Sequence, residues 1–385
     1  MIIISLTALE EPVHVTRPLL PDIEKVSNRM KEIWESRWIT NNGDQHKQLE
    51  KELTKHLRAK NISIFSNGTL ALILGLKALE VKGEVITTPF TFPATLQAVD
   101  WNGLTPVFCD IEKETLNIDA NQIESLITNK TSAILAVHVF GNPCDVKKIQ
   151  TIADKYNLRV IYDGAHAFGT QIKWRSVSSF GDMTMFSFHA TKLFNTVEGG
   201  ALVYNNENLK EKLESLKNFG LRGSEEVILS GMNAKLNEIQ AAIGLEVLKL
   251  VENERKRREE IKKVYEENLK SIDGIRIITT LEGENNSFQY FVIEIDEEKY
   301  GMSRDYLHEE LKKYNIFTRR YFNPLCSEFS WYRDLESAKY QNLKQAHKSV
   351  KNVLSMPFYG DLQLETVKKI CRIIREIPVR LSRIK

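Results

Sequence analysis

The sequence predicts an α/β protein with a large domain built on a mainly parallel sheet of seven strands, followed by a smaller C-terminal α+β domain. From about residue 60 to residue 205, short apolar runs rich in β-branched residues alternate with helical segments. These runs lack a strict period of two, which is typical of strands covered by helices on both faces. After residue 205, long charged segments replace the alternation. The 385 residues, 42% of them hydrophobic, suffice for two or three domains.

Strands separated by amphipathic helices build one layered domain. Helical patterns stand between several of the runs, as at 69–80 and 146–157. The seven predicted strands are 62–66, 84–89, 105–111, 132–141, 159–165, 183–188 and 200–205.

The sequence pattern after residue 205 predicts a connecting region and a second domain. A helix over 206–220 ends at Gly220, and one or two charged helices over 235–272 connect the domains through solvent. The small domain combines three apolar runs with two helices, at 275–281, 289–295, 315–322, 305–314 and 364–377. We therefore expect an N-terminal arm over 1–40, a large domain over 41–250 and a small domain over 251–385.

Composition argues against several classes of function. Lys and Arg number 53 and Asp and Glu 51, which leaves a net charge of +2 and disfavours nucleic-acid or polybasic membrane binding. No run of 18 apolar residues spans a membrane, and the first residues lack the basic flank of a secretion signal, so we expect a cytoplasmic protein. The cysteines are scattered and the histidines show no ligand spacing, so neither disulfides nor a metal is expected.

The first motif with chemical meaning is Ser66-Asn67-Gly68-Thr69, which joins a strand to a helix. Free N–H groups and the positive end of the helix dipole suit an anion at such a junction. Gly68 allows close approach of the backbone, and Thr69 adds a hydroxyl. An ordinary N-cap explains the same residues. A P-loop is excluded because GxxxxGK[ST] is missing, and no GxGxxG follows an early strand.

Two ionisable residues follow later strands of the predicted sheet. Asp163 ends the apolar run RVIYD and thus lies where open α/β sheets bind ligands, although it could also cap the next turn. His166 lies three residues later, either as a ligand contact or as a packed core histidine. Lys192 follows another buried strand and has no acid within five residues on either side. Desolvation of such a lysine favours its neutral, nucleophilic amine, although most lysines are simply solvated.

Together these residues match the needs of pyridoxal 5′-phosphate. An anion cup binds the phosphate, an acid pairs with the pyridinium nitrogen and a lysine attacks the aldehyde. Phe92, in the loop PFTFPAT, offers an apolar face to the ring. The order of cup, aromatic, acid and lysine at the ends of successive strands is more specific than any member alone.

The motifs resemble those of the DegT/DnrJ/EryC1/StrS nucleotide-sugar aminotransferases, which have the fold type I of pyridoxal-phosphate enzymes. The resemblance covers about residues 16 to 375. It rests on SNGTLAL, TTPFTFPAT, TPVFCDI, HVFGNPCD, YDGAHAFGT, FSFHATKLFNTVEGGALV, GMNAKLNEIQAAIG and SMPFYGDL.

The resemblance implies a role for each matching residue. Lys192 joins the cofactor and moves the proton, and Asp163 pairs with the ring nitrogen. Phe92 stacks on the ring, and His166 stands near the ring hydroxyl, where many members carry Gln. Phosphate contacts are implied for Gly68, Thr69 and Ser187, and for Asn233 of a partner subunit in a homodimer. Implied sugar contacts are Thr40, Asn42, Gln289, Arg320 and Tyr321.

The resemblance also implies the reaction. ITNNG (39–43), HATKLFNTVEGGA (189–201) and RRYFNPL (319–325) look most like enzymes that move the amino group of L-glutamate to C4 of dTDP-4-keto-6-deoxy-D-glucose. The product belongs to deoxyamino sugar biosynthesis, as in lipopolysaccharide O-antigens. A C3-aminotransferase, another nucleotide-keto-sugar aminotransferase and a non-catalytic regulator stay as alternatives. A dehydratase is a further alternative, but that branch carries His at the lysine position.

Overall fold

The computed structural model describes residues 7–278 and 283–381, without the side chains of 379–381. The strands are β1 Asn61–Phe65, β2 Glu84–Thr87, β3 Thr105–Phe108, β4 Thr131–Val137, β5 Arg159–Asp163, β6 Gln171–Ile172, β7 Arg175–Ser176, β8 Met183–Ser187, β9 Gly200–Tyr204, β10 Leu221–Arg222, β11 Glu226–Val227, β12 Ile275–Ile277, β13 Glu284–Asn285, β14 Phe291–Ile295 and β15 Val353–Met356. The helices are α1 Ile23–Ser36, α2 Asp44–Leu57, α3 Gly68–Ala78, α4 Pro93–Asp100, α5 Val146–Tyr156, α6 Leu209–Leu216, α7 Glu238–Leu248, α8 Val251–Leu269, α9 Glu297–Tyr300, α10 Arg304–Lys312, α11 Lys344–Asn352 and α12 Leu364–Leu381.

The predicted seven-stranded, mainly parallel sheet is confirmed. Its strands lie in the order β1-β9-β8-β5-β4-β2-β3. Only β9 runs against its neighbours, pairing antiparallel with both β1 and β8. The other pairs are parallel. Because β1, β2, β5 and β8 all run in one direction, their carboxyl ends share one edge of the sheet.

Helices bury both faces of this sheet, as its continuous apolar strands predict. On one face, Leu72 and Leu76 of α3 share an apolar core with Val85 and Leu202. On the other face, Ile149 of α5 lies in a core with strand residues such as Ile134 and Val160. Burial on both faces explains why these strands show no alternation of polar and apolar residues.

The small domain has a three-stranded antiparallel sheet in the order β12-β14-β15. The apolar run at 315–322, expected to contribute to this domain like the neighbouring strands, forms only isolated bridges, and β15 is the third strand instead. Part of the run at 275–281 lies outside the described residues. The charged segment at 235–272 forms two helices, α7 and α8. Helix α8 is not purely solvent-facing, because Ile261 and Tyr265 enter the small-domain core.

The N-terminal arm contacts both parts of the molecule. Leu9 and Val13 lie in the core of the small domain, where the N–H groups of both donate to the carbonyls of Tyr314 and Asn315. Further along, α1 packs against α7.

Three features of the described ranges concern membranes, metals and thiols. No helix there has the length and apolar character needed to cross a membrane. No group of three or more His, Cys, Asp or Glu residues there is arranged to hold a metal ion. All four cysteines are free thiols in buried positions.

Candidate active site

The predicted ligand-binding residues converge on one cavity of about 810 Å³ at the shared carboxyl edge of the sheet. The segments after β1, β2, β5 and β8 form its floor, and residues of the small domain form the opposite wall. Its lining includes eight of the predicted residues, Gly68, Thr69, Phe92, Asp163, His166, Ser187, Lys192 and Tyr321. This is the place where ligands bind in open α/β sheets.

The turn after β1 forms an anion cup at the start of α3. Asn67 is the N-cap, and its side chain accepts a hydrogen bond of 2.8 Å from the N–H of Leu70. Gly68 and Thr69 hold the first two helical positions, where no carbonyl of the helix is available to accept from their N–H groups. The capping and anion interpretations are therefore compatible: Asn67 caps, while the next two N–H groups and the helix dipole face the cavity.

Glycine is required at this junction because the backbone approaches β8 and β9 closely. A Cβ on Gly68 would lie 3.0 Å from the Sδ of Met185 and 3.2 Å from the Cβ of Ser187. A Cβ on Gly200 would lie 2.6 Å from the nitrogen of Gly68. The close packing brings the Ser187 side chain beside the helix N-terminus, where its hydroxyl adds another donor.

Asp163 is a buried acid fixed from two sides. Its Oδ2 accepts from the Thr95 hydroxyl at 2.7 Å, and its Oδ1 accepts from the N–H of Ala165 at 3.0 Å. Burial raises the pKa of Asp163, while the two hydrogen bonds and the positive charge of Lys192 oppose that rise. Thr95 was not predicted. The sequence does place a hydroxyl in the first turn of the helix that follows the PFTFP loop, and this is the only local indication of its role. The Thr95 hydroxyl is also bonded to the Thr91 hydroxyl at 2.7 Å.

Lys192 lies on the turn between β8 and β9 and lines the cavity. Desolvation lowers its pKa from 10.5 to about 8, with Asp163 acting against this shift and Arg319 adding to it. A large fraction of its amine is therefore neutral at mildly alkaline pH, as nucleophilic attack on an aldehyde requires.

His166 is a buried neutral imidazole in an aromatic stack. Its ring lies parallel to Phe140 and Phe322, with centroids 6.2 and 6.1 Å away. Desolvation lowers its pKa well below the usual range. The N–H of Phe140 donates to its Nδ1 at 3.3 Å. The remaining proton must therefore be on Nε2, which makes that nitrogen a donor.

The small domain contributes the other wall of the cavity through Tyr290, Arg319, Tyr321 and Phe322. The hydroxyls of Tyr290 and Tyr321 are 3.2 Å apart. The Arg319 guanidinium lies 4.8 Å from the centroid of the Tyr321 ring. Of the two arginines in RRYFNPL, Arg320 is the one that the resemblance implies as a sugar contact, but Arg319 is the one that lines the cavity.

The other predicted residues lie outside this cavity within the chain. Arg320 pairs with Asp305 at 3.0 Å. Gln289 is only 2% exposed, and its side chain is bonded to the backbone of Thr191 and Leu193. The exposed Thr40, the half-buried Asn42 and the exposed Asn233 do not line the cavity either. Their sugar and phosphate contacts stay predictions.

The cavity fits pyridoxal phosphate by the chemistry of its donor set. A cup of free N–H groups at a helix N-terminus suits the phosphate, and a buried carboxylate suits a protonated ring nitrogen. Phe92 is 54% exposed at the start of α4, which leaves its ring available for stacking. The Lys192 amine completes the set.

Comparison with known proteins agrees with this geometry. The model of the DegT/DnrJ/EryC1/StrS aminotransferase family matches residues 22–375. The chain belongs to this family. It is 44% identical over 369 residues to a dTDP-4-amino-4,6-dideoxy-D-glucose transaminase of Shigella dysenteriae, a match that covers 96% of this chain and all of the relative.

Solved structures of the family share the whole fold. DesI, determined in the presence of its TDP-sugar product, superposes with a TM-score of 0.92 at 32% identity, covering 98% of this chain and 96% of DesI. The PLP form of Spr1654, a putative sugar aminotransferase of Streptococcus pneumoniae, gives 0.87 at 26% identity, covering 95% and 99%. The predicted family, fold type I architecture and transaminase class are thereby confirmed.

Proposed function

We propose that this protein uses pyridoxal phosphate to move the amino group of L-glutamate to C4 of dTDP-4-keto-6-deoxy-D-glucose. The observation that carries the proposal is the Lys192 amine, held at the sheet edge beside Asp163 and the anion cup. The C4 position and the dTDP carrier are supported by the similarity to dTDP-4-amino-4,6-dideoxy-D-glucose transaminases along the full chain.

In this proposal the predicted cofactor-binding residues of the cavity have distinct tasks. When bound, pyridoxal phosphate supplies an aldehyde for amino groups and a ring that accepts electrons. Gly68, Thr69 and Ser187 bind its phosphate, and Asp163 keeps the ring nitrogen protonated. The Nζ of Lys192 takes the proton from the carbon of the donor and returns a proton to C4 of the sugar. The imidazole Nε2 of His166 donates toward the oxygen of the ring.

The test is product identification. The purified protein is incubated with L-glutamate and a panel of nucleotide-linked 3-keto and 4-keto sugars, and products are identified by mass and NMR. We expect a 4-amino product from the dTDP-linked 4-keto sugar. A 3-amino product would assign the C3 alternative, and loss of a hydroxyl without amination would assign a dehydratase. DNA binding without cofactor would favour the regulator.

Arg319 is the residue we propose to bind the carboxylate of L-glutamate. No carboxylate lies within 4.0 Å of its guanidinium among the described side chains, whereas the adjacent Arg320 is paired with Asp305. Its backbone is held by two hydrogen bonds with Ser355, of 3.0 and 2.8 Å. It lines the cavity together with Lys192 and Tyr290, and its positive charge contributes to lowering the pKa of Lys192.

Arg319→Gln is expected to raise the KM for L-glutamate by roughly 10- to 100-fold, because it removes a charge-assisted hydrogen bond to the carboxylate and a loss of that size corresponds to the strength of such a bond. Stopped-flow spectroscopy of the two separate half-reactions measures this. The sugar half-reaction should stay within about threefold, since the lost partner belongs to the amino donor. Arg320→Gln is the matched control, with a native KM for glutamate. A selective loss in the sugar half-reaction would instead assign Arg319 to the sugar diphosphate.

A homodimer with shared sites is the second part of the proposal. Asn233 is exposed beside the hairpin β10–β11, where Phe219 and Val227 are 53% and 64% exposed. Trp38, near the start of the ITNNG segment, is 56% exposed. Large apolar side chains on neighbouring segments favour burial against a second chain.

Mixing two inactive variants tests whether Asn233 acts across the interface. Asn233→Asp sets a carboxylate against the phosphate and should lose most activity, and Lys192→Ala lacks the amine. Refolding the two together should restore up to about half of native activity per mixed dimer, because one of its two sites then has both residues intact. Gel filtration should give twice the 44.3 kDa of one chain. A monomer, or a mixture that stays inactive, would contradict the cross-subunit role.

A further inference from the structure

Gln289 joins the small domain to the backbone on both sides of Lys192. Its Oε1 accepts a hydrogen bond of 2.6 Å from the N–H of Leu193, and its Nε2 donates to the carbonyl of Thr191 at 2.9 Å. The side-chain amide thus pairs with the residues before and after Lys192 as a neighbouring strand would. One bond to the oxygen and one from the nitrogen fix both ends of the amide. The side chain is 2% exposed and does not line the cavity, so a bound ligand does not reach it.

The turn that carries Lys192 has little regular structure of its own. It lies between β8 and β9, and the N–H of Lys192 donates to the carbonyl of His189 at 2.8 Å. Leu193 is fully buried, so water is not available to replace a lost partner of its N–H. The amide of Gln289 therefore helps to hold the backbone on both sides of Lys192 in place.

Gln289 is itself held rigidly. Arg258 of α8 donates to the carbonyls of Phe288 and Gln289 at 3.1 and 3.5 Å, and it pairs with Glu254 at 2.6 Å. The N–H of Gln289 donates to the Ser287 hydroxyl at 3.2 Å. That hydroxyl in turn donates to the carbonyl of His166 at 2.5 Å. The segment 287–289 of the small domain thus donates hydrogen bonds to the backbone carbonyls of two residues that line the cavity, His166 and Thr191.

We propose that Gln289 is a positioning residue for Lys192, and that it acts through the backbone of Thr191 and Leu193 without touching either substrate. The inference deepens the proposed function, on which it rests for the role of Lys192. It replaces the sugar contact that the family resemblance implies at this position. A reacting amine displaced by about 1 Å loses roughly 100-fold in rate, so an anchor of this kind affects catalysis directly.

The test compares Gln289→Leu with the shorter amide of Gln289→Asn, which cannot reach both backbone groups. We expect kcat to fall by roughly 10- to 100-fold in Gln289→Leu and less in Gln289→Asn, with both KM values within about threefold of native. Both half-reactions should slow by the same factor, because one amine serves both. Gln345→Leu, which removes a side-chain bond to Ser349 on α11, is the matched control and should keep native kcat.

A second measurement needs neither cofactor nor substrate. In the cofactor-free protein, the rate at which acetic anhydride labels Lys192 is followed against pH by peptide mass spectrometry. The native midpoint should lie near 8, from the desolvated pKa of Lys192. In Gln289→Leu the turn relaxes toward water, so the midpoint should rise by about half a unit or more toward the ordinary lysine value.

The outcomes separate the alternatives. A raised KM for the sugar alone would restore the sugar contact and overturn the proposal. A lower melting temperature with native kcat and a native labelling midpoint would reduce Gln289 to a structural residue. If Gln289→Leu does not fold, the same criteria apply to Gln289→Asn. If the native protein aminates no sugar, the proposed function fails, but the labelling midpoints still test the position of Lys192.

Discussion

Lys192→Ala should lower turnover by roughly 10⁴-fold or more, because one change removes both the group that joins the cofactor and the base that moves the proton. The visible absorption that borohydride abolishes should also disappear. Hydride trapping of the native protein followed by peptide mapping should place the pyridoxyl label on Lys192. A label on another lysine, or near-native turnover of Lys192→Ala, would refute the assignment.

Two controls separate this chemical loss from a loss of structure. Burial disfavours the charged form of Lys192, so its removal should leave the melting temperature close to native. Small primary amines added to Lys192→Ala should restore part of the proton transfer, and more basic amines should restore more. Rescue that does not depend on amine basicity would indicate that the lysine acts mainly by position.

Asp163→Asn is the second large effect that we expect. The amide keeps the shape of the carboxylate but loses the charge that holds the ring proton, so kcat should fall by roughly 100-fold or more in both half-reactions. Thr95→Val is the milder companion variant, because it keeps the charge of Asp163 and removes the 2.7 Å hydrogen bond to that carboxylate, together with the bond between Thr95 and Thr91. It should cost roughly tenfold or less. An unchanged rate in Asp163→Asn would leave Asp163 with a capping role only.

The same substitution should affect activity and stability in opposite directions, which the melting temperature of the cofactor-free protein can check. Burial raises the pKa of Asp163 in the folded state, so above that pKa the ionised acid is less favourable folded than unfolded. The stability that the protonated acid contributes is lost as pH rises through its unfolded and then its folded pKa. At pH 7, Asp163→Asn removes this cost, so the cofactor-free variant should melt at or above the native temperature. A lower melting temperature would show that the carboxylate stabilises the fold.

Much of the site was predictable because its residues are local to strand ends. Asp163 ends an apolar strand, Gly68 and Thr69 begin a helix directly after β1, and Lys192 follows β8 within a few residues. The parallel direction of those strands brings their ends to one edge. The pattern of the chain therefore predicts which residues meet, without knowledge of distances.

Other residues depend on contacts between distant segments. Gln289 lies 96 to 98 residues from its two backbone partners, so no local pattern links them. Leu9 and Val13, assigned to an arm, complete the core of the small domain. The run at 315–322 has the composition of a strand, but it forms only single bridges with neighbours that lie far away in the sequence.

By itself the sequence determined the seven buried strands, the helices between them and the chemical groups at their ends, because hydrophobic periodicity and strand-end chemistry are local properties. Only the tertiary structure decided that Arg319 faces the cavity while Arg320 pairs with Asp305, and that Gln289 anchors the lysine turn. Adjacent residues of an extended segment point to opposite sides. Which side meets the cavity depends on how the small domain packs against the large one.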